Sequence, residues 1–131
     1  MPLPSVSVEP MQSAQALHMI WQKNVQKADV HAAFQRIQDE LQSRNAPLYV
    51  IVDITSQPNF PMFETLNAAM SGPYRNTLLK EWLVVGTNRV AQTIERVLAG
   101  SMGRDNVRWF TSEAEALAYL ERVTQMDSCT G

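Results

Sequence analysis

From Leu48 to Val52 the chain reads Leu-Tyr-Val-Ile-Val, and Asp53 and Ile54 follow without any alternation of polar and apolar residues. A strand with one face in water must alternate. An unbroken run rich in β-branched residues is instead the mark of a strand covered on both faces, and only helices packed above and below a sheet provide that cover. The segment therefore predicts a central strand in an α/β domain. The chain has 131 residues, long enough to bury a proper core and too short to divide into two.

The flanking segments fit this frame. Pro2, Pro4 and Pro10 punctuate the start, and Val6 and Val8 alternate with Ser5, Ser7 and Glu9, which predicts a short edge strand where prolines are tolerated. Leu17, Met19 and Trp21 alternate as in a strand, whereas Met11, Ala14, His18 and Trp21 fit helical spacing; the bulky residues ending the run favour a strand. Val30, Ala33, Phe34, Ile37 and Leu41 form one helical stripe, with Asp29 as its expected N-cap and Asn45 and Pro47 as its stop. A turn spans Thr55 to Asn59. Phe63, Leu66 and Met70 are expected to line a second helix, ended by Gly72-Pro73.

Trp82 to Gly86 reads as a second buried strand. Thr87 or Asn88 then caps a third helix with Val90, Ile94, Val97 and Leu98 on its buried face, and Gly100 and Gly103 end it. Asn106 to Phe110 predicts the last strand. Ser112-Glu113-Ala114-Glu115 has capping-box spacing and opens a final helix carrying Leu117, Leu120 and Val123. The expected fold is α/β: one mixed, mostly parallel sheet of about five strands with about four helices, in the order β-β-α-β-α-β-α-β-α. One domain over residues 1–125 and a flexible tail over 126–131 complete the expectation.

Charge and composition narrow the partners. Eleven Lys and Arg stand against thirteen Asp and Glu, a net charge of -2. Bulk affinity for nucleic acid needs the opposite surplus. No apolar run approaches a membrane span, and Met1 to Pro10 has neither a basic residue nor an apolar core of a secretory signal, so a cytoplasmic location is expected. The single cysteine, Cys129, excludes an intrachain disulfide framework.

Chemical motifs are sparse. His18 and His31 lie on different elements with no ligand partners at metal-binding spacing, so no metal and no cofactor is expected. Asp53 ends the central strand, where ligands bind in open α/β sheets, though an aspartate there also caps the turn that follows. Thr87-Asn88-Arg89 opens a helix after a strand and is a candidate anion site, with a solvated Arg89 as the plainer reading. Met62 and Phe63 cannot both face one narrow stripe. An exposed pair beside Phe60 suggests a soft contact surface, and ordinary packing is the alternative.

Taken with the central strand and the Trp82-Leu83-Val84-Val85-Gly86 strand, the segment Val107-Arg108-Trp109-Phe110-Thr111-Ser112-Glu113-Ala114-Glu115-Ala116-Leu117-Ala118-Tyr119-Leu120 resembles the STAS superfamily, in its SpoIIAA-like branch. The resemblance covers about Val6 to Val123 and implies a fold more than a function. Its best-known members are anti-sigma factor antagonists, phosphorylated on a serine of an Asp-Ser-Ser-Gly segment at the start of the helix after the central strand. Here Asn59-Phe60-Pro61-Met62-Phe63-Glu64-Thr65 stands in that place, so the serine pair is missing and neither Thr55, Ser56 nor Thr65 carries over as phosphoacceptor. Glu64 admits two readings, a phosphoserine mimic or a helix-dipole partner.

The resemblance implies a non-enzymatic regulatory or interaction module. Its protein partner is unknown and would be met through Asp53, Thr55, Ser56, Phe60, Met62 and Phe63. The alternative is a carrier of a lipid or apolar small molecule, since SpoIIAA-like domains are similar in fold to CRAL-TRIO lipid-transfer domains. An enzyme built on Asp53 and Arg89 lacks a nucleophile-base pair. An exposed edge strand near the terminus also makes a homodimer a reasonable expectation.

Overall fold

The apolar run forms the third of five strands in a computed structural model that describes residues 4–11, 15–103 and 106–130, excluding the side chains of Arg75, Met102 and 126–130. The strands are β1 (Val6–Pro10), β2 (Ala16–Trp21), β3 (Leu48–Asp53), β4 (Leu79–Val85) and β5 (Val107–Phe110). The helices are α1 (Lys27–Arg44), α2 (Met62–Met70), α3 (Arg89–Met102) and α4 (Glu113–Thr130), with a 3-10 turn at Pro73–Arg75. The spatial order equals the sequence order, β1-β2-β3-β4-β5. β1 runs antiparallel to β2 and every later pair is parallel. The expected mixed sheet and its element order are therefore present, and the doubtful segment before α1 is a strand.

Stepwise order has a topological consequence. When each parallel crossover is right-handed and the sheet grows in one direction, successive crossover helices fall on the same face. Accordingly Val30, Phe34, Ile37 and Leu41 of α1, Ala68 and Ala69 of α2, and Ile94 and Leu98 of α3 share one core with Leu17, Val50, Val52 and Val84. The other face is left to α4, whose Ala116 and Leu120 pack on Tyr49, Ile51, Leu83 and Val85. Alternate residues of β3 thus belong to opposite cores, and all five from Leu48 to Val52 are buried. In β4 the register runs from Leu48↔Leu79 to Tyr49↔Glu81, skipping Lys80. That bulge brings Leu79 and Trp82 into the same core although they stand an odd number of residues apart.

Several expected faces are rotated. Asp29 is not the N-cap of α1, which starts after extended Gln26 with no side-chain cap. Asp29 instead accepts hydrogen bonds from the backbone N–H and hydroxyl of Ser5, at 2.9 and 2.7 Å. The Ser5 hydroxyl accepts from the Gln26 N–H at 2.8 Å, tying the residue before α1 to the residue before β1. Asn45 ends α1 as expected, in the left-handed region with φ 48°.

In α2 the buried residues are Thr65, Ala68 and Ala69, with Leu66 and Met70 only partly buried and Phe63 78% exposed. The helix presents small residues to its neighbours, which the apolar pattern does not reveal. Likewise Val97 and Leu117 stand outside, 40% and 38% exposed, because Ile94/Leu98 and Ala116/Leu120 take the i, i+4 positions facing the sheet. Only half of the expected capping box forms: the Glu115 N–H donates to the Ser112 hydroxyl at 3.2 Å, while the Glu115 carboxylate accepts from the Thr111 hydroxyl. The helix path continues to Thr130; the side chains expected to form a tail, and Gly131, lie outside the described residues. Ala14, used in the helical reading of β2, also lies outside them.

Candidate functional site

The loops at the carboxyl end of β3 and β4 hold most of the polar candidates. Asp53 Oδ1 accepts from the Thr55 N–H at 2.9 Å and from the Thr55 hydroxyl at 2.7 Å, so the carboxylate closes its own turn. Two residues on, Gln57 takes a left-handed φ of 56° and bridges to the next loop. Its amide donates to the Thr87 carbonyl at 2.8 Å and accepts from the Asn88 side chain at 3.2 Å. Asn88 is the N-cap of α3 and accepts from the Ala91 N–H at 3.1 Å. Asp53, Thr55, Thr87 and Asn88 thus stand in one hydrogen-bonded loop pair. One first-turn amide of α3, that of Ala91, is already held by Asn88, and Arg89 is exposed beside it. Ser56 is exposed as well.

Glu64, in the first turn of α2, sits 3.2 Å from the Lys27 ammonium. Its own backbone N–H, and then Lys27, hold its carboxyl below the usual glutamate range. This is the environment of a helix-dipole partner. Among the described residues, no group of three His, Cys, Asp or Glu side chains is placed to hold a metal ion. His18 lies under α4, 3.5 Å from the Glu113 carboxylate, and makes no hydrogen bond at that distance.

A second feature lies on the opposite face of the sheet from His18 and α4. A cavity of about 90 Å³ separates the β-sheet from α2 and α3. Its floor includes Trp21, Val52, Trp82 and Val84, and its roof Thr65, Ala69, Ala91 and Ile94. Small residues at Ala69 and Ala91 leave the space unfilled. Phe60, expected in an exposed pair with Met62, instead packs on Trp21 with ring centroids 4.7 Å apart and joins the wall. Met62 and Phe63 remain outside, 36% and 78% exposed. The surface lining the space is apolar throughout.

Three of the lining residues also carry buried polar atoms with no hydrogen-bond partner among the described residues, Trp21 Nε1, Trp82 Nε1 and Thr65 Oγ1, and none of these atoms is accessible from the space. The sequence reading missed both tryptophans as site residues. The signal was there, since Trp21 and Trp82 each fall on an inward position of a strand, where an indole N–H must find a partner away from water.

No protein-family model matches the chain, and no curated protein matches it. Among solved structures, the chain is similar to an uncharacterized protein of the DUF3478 family with a SpoIIAA-like fold from Shewanella loihica PV-4. The TM-score is 0.61 and the identity 15%, over 88% of this chain and 91% of the other. The SpoIIAA-like fold is therefore shared across nearly the full length of both.

Proposed function

Proceeding from a SpoIIAA-like fold with an apolar space under two of its helices, we propose that this chain is a non-enzymatic binding module for a small apolar molecule. The cavity between the sheet and α2/α3 carries the reading. The space is open to solvent on one side and lined by apolar and small residues, which gives it the character of a pocket. The polar candidates point the same way, because Asp53 and Asn88 are engaged in holding their loops. Native mass spectrometry of the protein purified from several expression hosts tests this: a bound mass is expected. Ala69→Leu, which fills the space, should abolish the bound mass. Bare polypeptide from every host, together with no thermal stabilisation by small apolar probes, overturns it.

A second reading rests on a separate observation. Met62 and Phe63 are exposed at the start of α2, just after Phe60 in sequence. A protein partner would meet them there, in the position the serine switch occupies in anti-sigma factor antagonists, with no serine to be phosphorylated. Phe63→Ser should weaken capture of such a partner without changing ligand occupancy.

A further inference from the structure

The face of the sheet that carries α4 is only partly covered. A helix is about 10 Å wide and strands lie about 4.8 Å apart, so one helix covers about two or three strands. α4 packs over β3, β4 and β5. Val6, Val8, Leu17 and Met19 point into the core of the other face, so by alternation Ser7, Glu9, His18 and Ile20 point to the α4 face. Beside α4 they leave an open groove of about 530 Å³, with Glu9, Met11 and His18 on the strand side and Leu117 and Glu121 on the helix side. We infer that this groove is a docking surface for a basic amphipathic helix of a partner protein, laid alongside α4. It lies on the face away from the apolar cavity and shares no lining residue with it.

Shape calls for a helix. The groove has a sheet for its floor and α4 for one wall, the place a second helix takes when a sheet face is fully covered. Leu117 is 38% exposed there and Met11 is half-buried, which gives an apolar stripe something to rest on. Charge decides which helix. Glu9 and Glu121 are exposed on opposite sides of the groove. Glu113, whose carboxylate stands 3.5 Å from His18 Nε2, extends the acidic rim. No lysine or arginine is among the described residues that line it. A second copy related by a two-fold axis would set these glutamates against themselves. Nucleic acid and anionic membrane surfaces are repelled for the same reason. Lysines or arginines flanking an apolar stripe are complementary. Glu113 and Glu121 lie two turns apart on α4, about 12 Å, so basic residues seven or eight positions apart on the partner helix would meet both.

The test titrates ¹⁵N-labelled full-length protein with a synthetic helical peptide of about 18 residues, or five turns, carrying one leucine stripe flanked by lysines. Two comparison peptides are used: the same composition scrambled so that the stripe is lost, and the same stripe flanked by glutamates. Saturable binding of the first peptide is expected, with the amide signals of Glu9, His18, Leu117 and Glu121 moving. The scrambled and glutamate-flanked peptides should bind at least about tenfold more weakly. Glu9→Lys combined with Glu121→Lys should weaken the first peptide about tenfold, and Leu117→Ser should weaken it as well. These side chains are exposed, so the variants should keep the parent's melting temperature. Phe63→Ser should leave this binding unchanged, which separates the groove from the surface at the start of α2. Failure of the first peptide to bind overturns the inference. Equal binding of the scrambled or glutamate-flanked peptide, shifts confined to other surfaces, or indifference to the charge reversal overturns it too. Movement of the same amide signals with protein concentration alone replaces the basic helix with a second copy of the chain.

Discussion

At Ser5 one hydroxyl serves two elements. It donates to Asp29 and accepts from the Gln26 N–H, joining the start of β1 to the start of α1. Ser5→Ala breaks both contacts at a buried position, and chemical denaturation should show a loss of about 1–3 kcal/mol. The same contacts set a pH dependence. The Ser5 hydroxyl, and then its N–H, hold the Asp29 carboxyl below its ordinary 3.8. The unfolded chain therefore takes up this proton at higher pH than the folded one. The associated stability is present above the ordinary value and fades as pH falls through the folded one. Ser5→Ala should flatten the acid limb of the stability curve. An unchanged acid limb would remove Asp29 from that account.

Gly86 poses a backbone constraint. Its φ is 113°, and a Cβ there would stand 3.3 Å from Ile54 Cγ1 and 3.4 Å from the Thr55 nitrogen. Gly86→Ala should cost about 1–3 kcal/mol and disturb the Asp53–Thr55 turn, visible as shifts of the Thr55 amide signal. Asp29 was legible in the sequence as a helix-start residue. Its true partner was not, because Ser5 lies 24 residues away, just before β1, and only the fold brings the two together.

Among the elements, those with one dominant physical signal were legible. β3 declares itself by unbroken apolar residues, and α1 by a stripe that the structure buries in full. α2 was legible as a helix and misread as a surface, because apolar residues occur around its whole circumference and hydrophobicity does not tell which side meets the sheet. The carrier reading requires an apolar space beneath the second and third helices, and one is present there, but its size was not legible: alanines signal helix, and the volume they leave open depends on what stands opposite.

α4 shows what a single covering helix does. Its Tyr119 hydroxyl donates to the Glu81 carboxylate of β4, which also accepts from Arg108 of β5. Arg108 and Arg122 stand 5.2 and 5.5 Å from the tyrosine ring centre. Tyr119→Phe should cost about 1 kcal/mol, discounted for partial exposure. Burial, and then the bond to Glu81, push the tyrosine hydroxyl above its ordinary range. Stability from this contact is thus full at neutral pH and lost as pH rises through the raised value. Denaturation above the ordinary tyrosine range should be steeper in the parent chain than in Tyr119→Phe, and parallel curves would contradict the assignment.

Across the whole molecule, topology dictates where looseness collects. Stepwise strand order sends three helices to one face, and they must share the width of the sheet. α1 anchors its part with Phe34, Ile37 and Leu41, whereas α2 spans nine residues and buries only Thr65, Ala68 and Ala69. α2 also lacks a side-chain N-cap, since extended Pro61 holds that place. A short helix with small contacts and a weak start should open at lower free-energy cost than its neighbours. It shares the roof of the cavity with α3, so opening of α2 would admit a ligand without the core around β3 opening. Native-state hydrogen exchange should find the α2 amides on the order of tenfold or more faster than those of α1. A bound ligand stabilises only the closed form, so adding a probe that enters the cavity should slow α2 selectively and leave α1 and α4 unchanged. Uniform slowing of all helices would instead mean that the ligand stabilises the fold globally, and that α2 is not the gate.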